Sequence, residues 1–160
     1  MSKFYFLKAD ESLSDDFLPK KANDKDTGYD VKAAVLNTDG EPYLLEIKPG
    51  EKVLIPTGLK AFIPDGWWLQ INPRSSTFTK LGLTALVGVI DEGYENEIKL
   101  AVRNDNDHSV TINFGDRVGQ LIPIRREVMD AEFVSSERFA ELCAGRKNTR
   151  GTGGFGSSGK

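Results

Sequence analysis

The amino-acid sequence predicts an all-β fold, a sandwich or barrel, with one short helix and a glycine-rich end. Three observations predict it. Short apolar or alternating runs recur from residue 4 to residue 128. Turn pairs separate them, at Asp39-Gly40, Pro49-Gly50, Asp65-Gly66 and Gly115-Asp116. Helical periodicity is confined to one place, 135–144. Many short strands cut by regular turns form sandwiches and barrels.

The runs come in this order: "FYFLK" (4–8), "YLLEIK" (43–48), then "EKVLIPTGLKAFIP" (51–64), which Pro56 and Gly58 break into two strands. "WWLQINP" (67–73), "LTALVGVI" (83–90) and "NEIKLAVRN" (96–104) follow. In the last, Ile98, Leu100 and Val102 alternate with Lys99, Ala101 and Arg103, so one face is wet. "SVTINF" (109–114) and "RVGQLIPIRREV" (117–128) complete the series. The helix falls on "SERFAELCA", capped by Ser135 or Ser136, with Phe139, Leu142 and Cys143 on one face and Gly145 as its stop. Beyond it, Phe155 is the one large apolar residue, so no core can form. The expected organisation is a β domain over 1–143 and a flexible arm over 144–160.

At 160 residues the chain has the length of about one domain. Its 39% hydrophobic and 28% charged content is ordinary for a globular protein. A net charge of −3 argues against stable nucleic-acid binding but leaves room for a single nucleotide. One cysteine, Cys143, excludes an internal disulfide and fits a reducing, cytoplasmic compartment. The first residues lack a signal-peptide pattern, and the longest apolar stretch, 83–90, is too short to span a membrane.

Two phosphate-binding patterns can be spelled in "RGTGGFGSSGK" (150–160): G-x-G-x-x-G and G-x-x-x-x-G-K. A dinucleotide fingerprint follows a strand and opens a helix. A P-loop lysine is followed by Ser or Thr and a helix. This stretch offers neither context. Four internal stretches also depart from plain strand or turn. They are "DTGYDVKAA" (26–34), "PRSST" (73–77), "GVIDEGYENE" (88–97) and "GDRVGQLI" (115–122). Singly, Asp30 and Asp91 read as turn carboxylates, Arg74 as a surface arginine, Tyr94 as a half-buried aromatic and Gln120 as a partner for a backbone group.

Together and in this order, the five stretches resemble the five motifs of the trimeric dUTPase family, and the resemblance covers nearly the whole chain, from the first strand to Lys160. Departures are Thr27 for Ala, Ser76 for the Gly of "PRSG", Asn96 for Gly and Gly119 for Ala. The resemblance implies a jelly-roll-like β-clip fold. It also implies hydrolysis of dUTP to dUMP and pyrophosphate by water attack on the α-phosphorus, which limits uracil in DNA and supplies dUMP for thymidylate synthesis. Asp91 would orient and deprotonate the water, since a carboxylic acid is ionised at neutral pH. Gln120 would position the water or a phosphate. Mg²⁺ would ride on the triphosphate, with Asp30 holding it through water. Arg74, Ser75 and Ser76 would meet the α- and β-phosphates, where a guanidinium fork suits better than an ammonium.

Tyr94 would lie against the deoxyribose and leave no room for a 2′-hydroxyl. Uracil would pair with the main chain around Ala85, Val89 and Ile90. Lys99 would belong to the substrate-binding set. Phe155 would stack on uracil, Arg150 would act as an arginine finger, and the amides and hydroxyls around Gly156 and Ser157 would wrap the phosphates. The implied assembly is a homotrimer with active sites at subunit interfaces.

The related deaminases of dCTP carry a glutamate in the strand that here reads "IKLAV". Ala101 takes its place and cannot shuttle a proton. Segment 10–26, acidic and lysine-rich, would be the natural surface for a regulatory protein partner. His108, in the polar turn "NDNDHSV", reads as a solvated loop residue.

Overall fold

The computed structural model describes residues 2–146. The chain divides into two units, Met1–Glu127 and Val128–Lys160. The first holds eleven strands: β1 (Tyr5–Lys8), β2 (Tyr29–Lys32), β3 (Leu45–Ile47), β4 (Lys52–Pro56), β5 (Leu59–Phe62), β6 (Trp67–Pro73), β7 (Leu83–Ala85), β8 (Gly88–Ile90), β9 (Lys99–Asn104), β10 (Val110–Ile112) and β11 (Arg117–Arg125). A short helix, α1 (Ser75–Thr79), sits between β6 and β7, and α2 (Ser136–Ala144) lies in the second unit. All strand pairs are antiparallel. The sheets run β2-β11-β6-β8, β4-β9-β7, β1-β5 and β10-β3. No helix among the described residues is long and apolar enough to cross a membrane.

Alternation explains the core. On β9, Leu100 and Val102 are buried while Lys99 and Arg103 are exposed, the period expected of a half-buried strand. They pack with Val31, Ile55, Ile71, Leu83, Ile112 and Leu121. A smaller cluster joins Leu13, Phe17 and Ala34 to Leu36 and Phe114, with the two phenyl rings 4.9 Å apart. It pins segment 10–26 to the sheet. Leu13 and Phe17 are thereby 2% and 5% exposed, whereas Leu18 of the same segment is 53% exposed.

Besides β2, which the predicted strand series leaves out, two local expectations change. The run 83–90 is not one strand. It breaks at Leu86 and Val87, so that β7 pairs with β9 and β8 with β6. The chain thus changes sheet within a continuous apolar run, and periodicity cannot signal such a step. The second change is α1, in a stretch rich in Ser and Thr, which are indifferent helix formers. Tertiary contact holds it: the buried Thr77 hydroxyl donates to the Val118 carbonyl at 2.7 Å.

In the second unit, α2 starts where its cap predicts. Ser135 Oγ accepts from the Arg138 amide at 3.2 Å, and the Gly145 amide closes the last turn on Glu141.

Asn104 is the polar centre of the first unit. It is fully buried and donates to the Ile47 and His108 carbonyls, each at 2.8 Å. Its Oδ1 accepts from the Asn106 amide and side chain. Asn104→Ala strands these groups away from water. The expected loss is about 2–3 kcal/mol, read as a lower urea midpoint with an unchanged slope. A loss under about 0.5 kcal/mol would mean the network carries no stability. His108 itself is 69% exposed, with Asp107 3.0 Å from its Nδ1, as its polar turn implies.

Candidate active site

The long strand β11 lies between β2 and β6, and a bulge on it shapes the site. Arg117 pairs with Lys32, but the next pairing is Gly119 with Val31, so one extra residue enters β11. Without it, Gly119 would face Asp30. With it, Gln120 faces Asp30 on one side and Asn72 on the other. The bulge also brings Arg117 and Gln120, three residues apart, to the face of Asp30, where a regular strand would send them to opposite faces.

Asp30 is an ion-pair hub. Its Oδ1 lies 3.0 Å from Arg74 Nε and its Oδ2 lies 3.2 Å from an Arg117 terminal nitrogen. The Asp30 side chain is 16% exposed and that of Arg74 27%, so water screens this pair less than a surface bridge. Arg74 leads into α1, which follows β6. One carboxylate thus aims the guanidinium and ties the loop to β2. Arg117, absent from the sequence-predicted site, belongs to this hub. The signal for it was its place in "GDRVGQLI", three residues before Gln120.

Asp26, Gly28, Asp30, Arg74, Ser75 and Gln120 line one cavity of about 320 Å³. Gln120 Nε2 donates to the Pro73 carbonyl at 3.2 Å. Gly28 gives the amide its room: a Cβ there would stand 2.0 Å from Gln120 Oε1. Gly28→Ala is expected to turn the amide aside and lower kcat by about 10- to 100-fold, since small misplacements near the chemistry cost that much. The thermal midpoint should move little, because the obstructing atom ends a flexible side chain. Unchanged kcat would remove Gln120 from the chemistry.

The remaining predicted residues among those described do not line this cavity. Ser76 lies on α1, where its carbonyl accepts from Lys80. Ala85 lies on β7, Val89 and Ile90 on β8, Asp91 and Tyr94 in the turn after β8, and Lys99 at the start of β9. Val89 is 60% exposed, whereas Ile90 is buried, so Ile90 offers a ligand only its backbone. The Leu86 amide donates to the Ala101 carbonyl at 2.9 Å, and Ala101 itself carries no acid. Asp91 is exposed at the end of β8.

The turn after β8 is built by Gly93 at φ 87° and by the Tyr94 amide donating to the Asp91 carbonyl at 3.1 Å. Two glutamates that sequence reading left out fasten it. Glu92 accepts from the Gly66 amide and pairs with Arg126. Glu97 accepts from the Gly58 amide at 2.8 Å and lies 3.6 Å from Lys99. The Tyr94 hydroxyl donates to the Glu97 carbonyl. Arg150, Phe155, Gly156 and Ser157 lie outside the described residues.

The described part of the chain therefore presents two separate sets: a cavity with Arg74, held by Asp30, and the Gln120 amide, and an exposed aspartate-tyrosine turn. The Arg74 guanidinium suits phosphate oxygens.

Comparison with known proteins identifies the family. The dUTPase family model matches residues 16–159. The deoxyuridine 5'-triphosphate nucleotidohydrolase of Mycolicibacterium gilvum is 39% identical over 145 residues, covering 89% of this chain and 87% of the relative. That of Finegoldia magna is 37% identical over 144 residues, covering 89% and 91%. Among solved structures, the fold is shared with the Staphylococcus bacteriophage 80alpha dUTPase with dUPNHPP (TM-score 0.79, 22% identity, full coverage of both chains). It is shared too with a dUTPase mutant from phage phi11 of S. aureus, described for its coordination of a structural Mg(II) ion (TM-score 0.71, 20% identity, 84% and 98% coverage). With the family match running through all five motif stretches, and relatives of this identity covering most of both chains, the chain belongs to the dUTPase family.

Proposed function

We infer that this protein hydrolyses dUTP to dUMP and pyrophosphate. The observation that carries the reading is the Asp30 hub with Arg74 and Gln120 on one cavity, in a chain of the dUTPase family. Arg74 and Ser75 take the α- and β-phosphates there, with Ser76 close behind on α1. Asp30 holds the fork of Arg74 in place while charge develops on the phosphate oxygens. Gln120 orients the water or a phosphate oxygen. Asp91 takes the proton of the attacking water, Tyr94 shields the sugar, and Ala85, Val89 and Ile90 present main chain to uracil, with Lys99 nearby. Arg150, Phe155, Gly156 and Ser157 close over the nucleotide.

These two sets act on one substrate if a second copy brings its Asp91 turn to the Arg74 cavity. Apolar side chains left in water support such an assembly: Leu54 is 61% exposed, Leu86 70% and Val87 50%. A homotrimer with active sites at its interfaces, and residues 144–160 as the exchanged arm, is the reading the family favours. Light scattering at three chain masses would support it, and one mass would exclude it. A cytoplasmic location accords with the single cysteine.

The donor set bears on Mg²⁺. No group of three or more His, Cys, Asp or Glu among the described residues could hold a metal, and both Asp30 oxygens already face guanidinium groups. That fits an ion carried by the triphosphate, with Asp30 reaching it through water, rather than one chelated by the chain. When bound, Mg²⁺ supplies charge neutralisation on the phosphates.

The decisive assay compares pyrophosphate release from dUTP, dTTP, dCTP and UTP. dUTP should be preferred over each by at least about 10²-fold in kcat/KM, because a site built to hydrogen-bond one base leaves polar groups unpaired with the others. Equal rates on all four would refute the specificity. Ammonia release from dCTP would instead point to deamination.

A further inference from the structure

Segment 10–26 builds a second cavity beside the first. Asp16, Lys20, Lys21, Lys32 and Arg117 line a space of about 280 Å³, which meets the reaction cavity at Ala22 and Asp30. Its charged lining is four cations and two carboxylates. Arg117 is committed to Asp30. Asp16 sits between two of the others, with Oδ1 2.9 Å from Lys20 Nζ and Oδ2 bonded to Lys32 Nζ. Hydrogen bonds from Lys32 and then Lys20 hold the Asp16 carboxyl down to about 2. An internal anion thus occupies the place where the lysines converge, and its side chain is 61% exposed.

The lysines are also pre-set. Lys32 Nζ lies 5.7 Å from the centroid of the Phe17 ring, and Lys21 Nζ 5.1 Å from that of Tyr29. Phe17 is buried in the small core, so the lysine over it is held by the fold. Lys21 has no carboxylate partner among the described residues. Cations with ordered stems lose less entropy when they bind an anion. A polyphosphate offers more charge and more acceptor oxygens than one carboxylate, so it can displace Asp16 from Lys20 and Lys32 and add Lys21.

We propose that this cavity is a second anion site, distinct from the nucleotide site, that takes a pyrophosphate-class oxyanion. It rests on the reading of the Arg74 cavity as the phosphate end of the active site. It stands where a pyrophosphate leaving that cavity past Asp30 would next meet cations. Asp16 is then a competing internal anion that keeps the site weak enough to release its ligand.

The test is calorimetric titration of inorganic pyrophosphate onto the full chain already saturated with a non-hydrolysable dUTP analogue, with orthophosphate as a second arm. Wild type should bind pyrophosphate under these conditions. Lys20→Gln/Lys21→Gln should weaken it about tenfold, the effect of one charge-assisted hydrogen bond. Asp16→Asn should tighten it severalfold, a gain that a misfolded variant could not mimic. dUTP turnover by all three proteins should agree within about twofold, since none of these side chains is in the catalytic set.

Absence of binding to the analogue-loaded protein overturns the proposal, as do equal affinities in the lysine double variant. Orthophosphate binding as tight as pyrophosphate overturns the polyphosphate assignment. Lost dUTP turnover in the lysine variant would merge the cavity with the substrate site and overturn its distinctness. Should wild type not hydrolyse dUTP at all, the functional reading falls by itself, and the lysine dependence of pyrophosphate binding still decides this site.

Discussion

Asp91→Asn is expected to lower kcat on dUTP by about 10²–10⁴-fold, the usual worth of a positioned general base. KM should stay within a few-fold. Asparagine keeps the size and hydrogen-bonding reach of the side chain but cannot accept the proton of the attacking water. Asp91 stands exposed at the end of β8, and no ion pair among the described residues consumes its charge. The turn that presents it is held by Gly93, Glu92 and Glu97, so the substitution leaves the backbone in place. Steady-state kinetics with a nucleotide-binding isotherm would check both halves. Near-normal turnover would assign the base elsewhere, and lost binding would make Asp91 a substrate contact instead.

Removing residues 148–160 is expected to cost about 10³–10⁵-fold in kcat/KM, the range an arginine finger supplies. The fold should survive. Every buried hydrophobic residue of the described chain lies between Leu13 and Leu121, so the core loses nothing. Denaturant unfolding of the shortened chain should keep its midpoint and slope while pyrophosphate release collapses. A matching fall in stability would make the arm structural. Arg150→Ala in the full chain separates the guanidinium from the rest of the arm: it should reproduce most of the loss in kcat if Arg150 meets the developing charge.

Much of the frame was legible without coordinates because its causes are local. The residues 67–73 read from "WWLQINP" are those of β6. Alternation along Ile98, Leu100 and Val102 named the buried face of β9. A serine at 135 and a glycine at 145 bracket α2. Each signal lies within a few residues of the element it specifies: side-chain period, cap chemistry and turn residues. The motif stretches likewise named Asp30, Arg74, Ser75 and Gln120, which meet on one cavity.

What stayed hidden is non-local. Asp30 finds Arg117 across 87 residues, and α1 persists because Thr77 reaches a carbonyl 41 residues away. Nothing within "LTALVGVI" tells the chain to leave one sheet for another at Leu86. Nor does "GDRVGQLI" announce that one extra residue will enter the ladder.

By itself, then, the sequence determined most of the strands, the capped helix, the apolar face of β9 and the motif residues, since these follow from neighbouring side chains and backbone torsions. The tertiary structure alone decided which residues face one another. Strand register has a period of two, so a single bulge decides whether glycine or glutamine looks at Asp30, and with it whether that cavity holds the Gln120 amide.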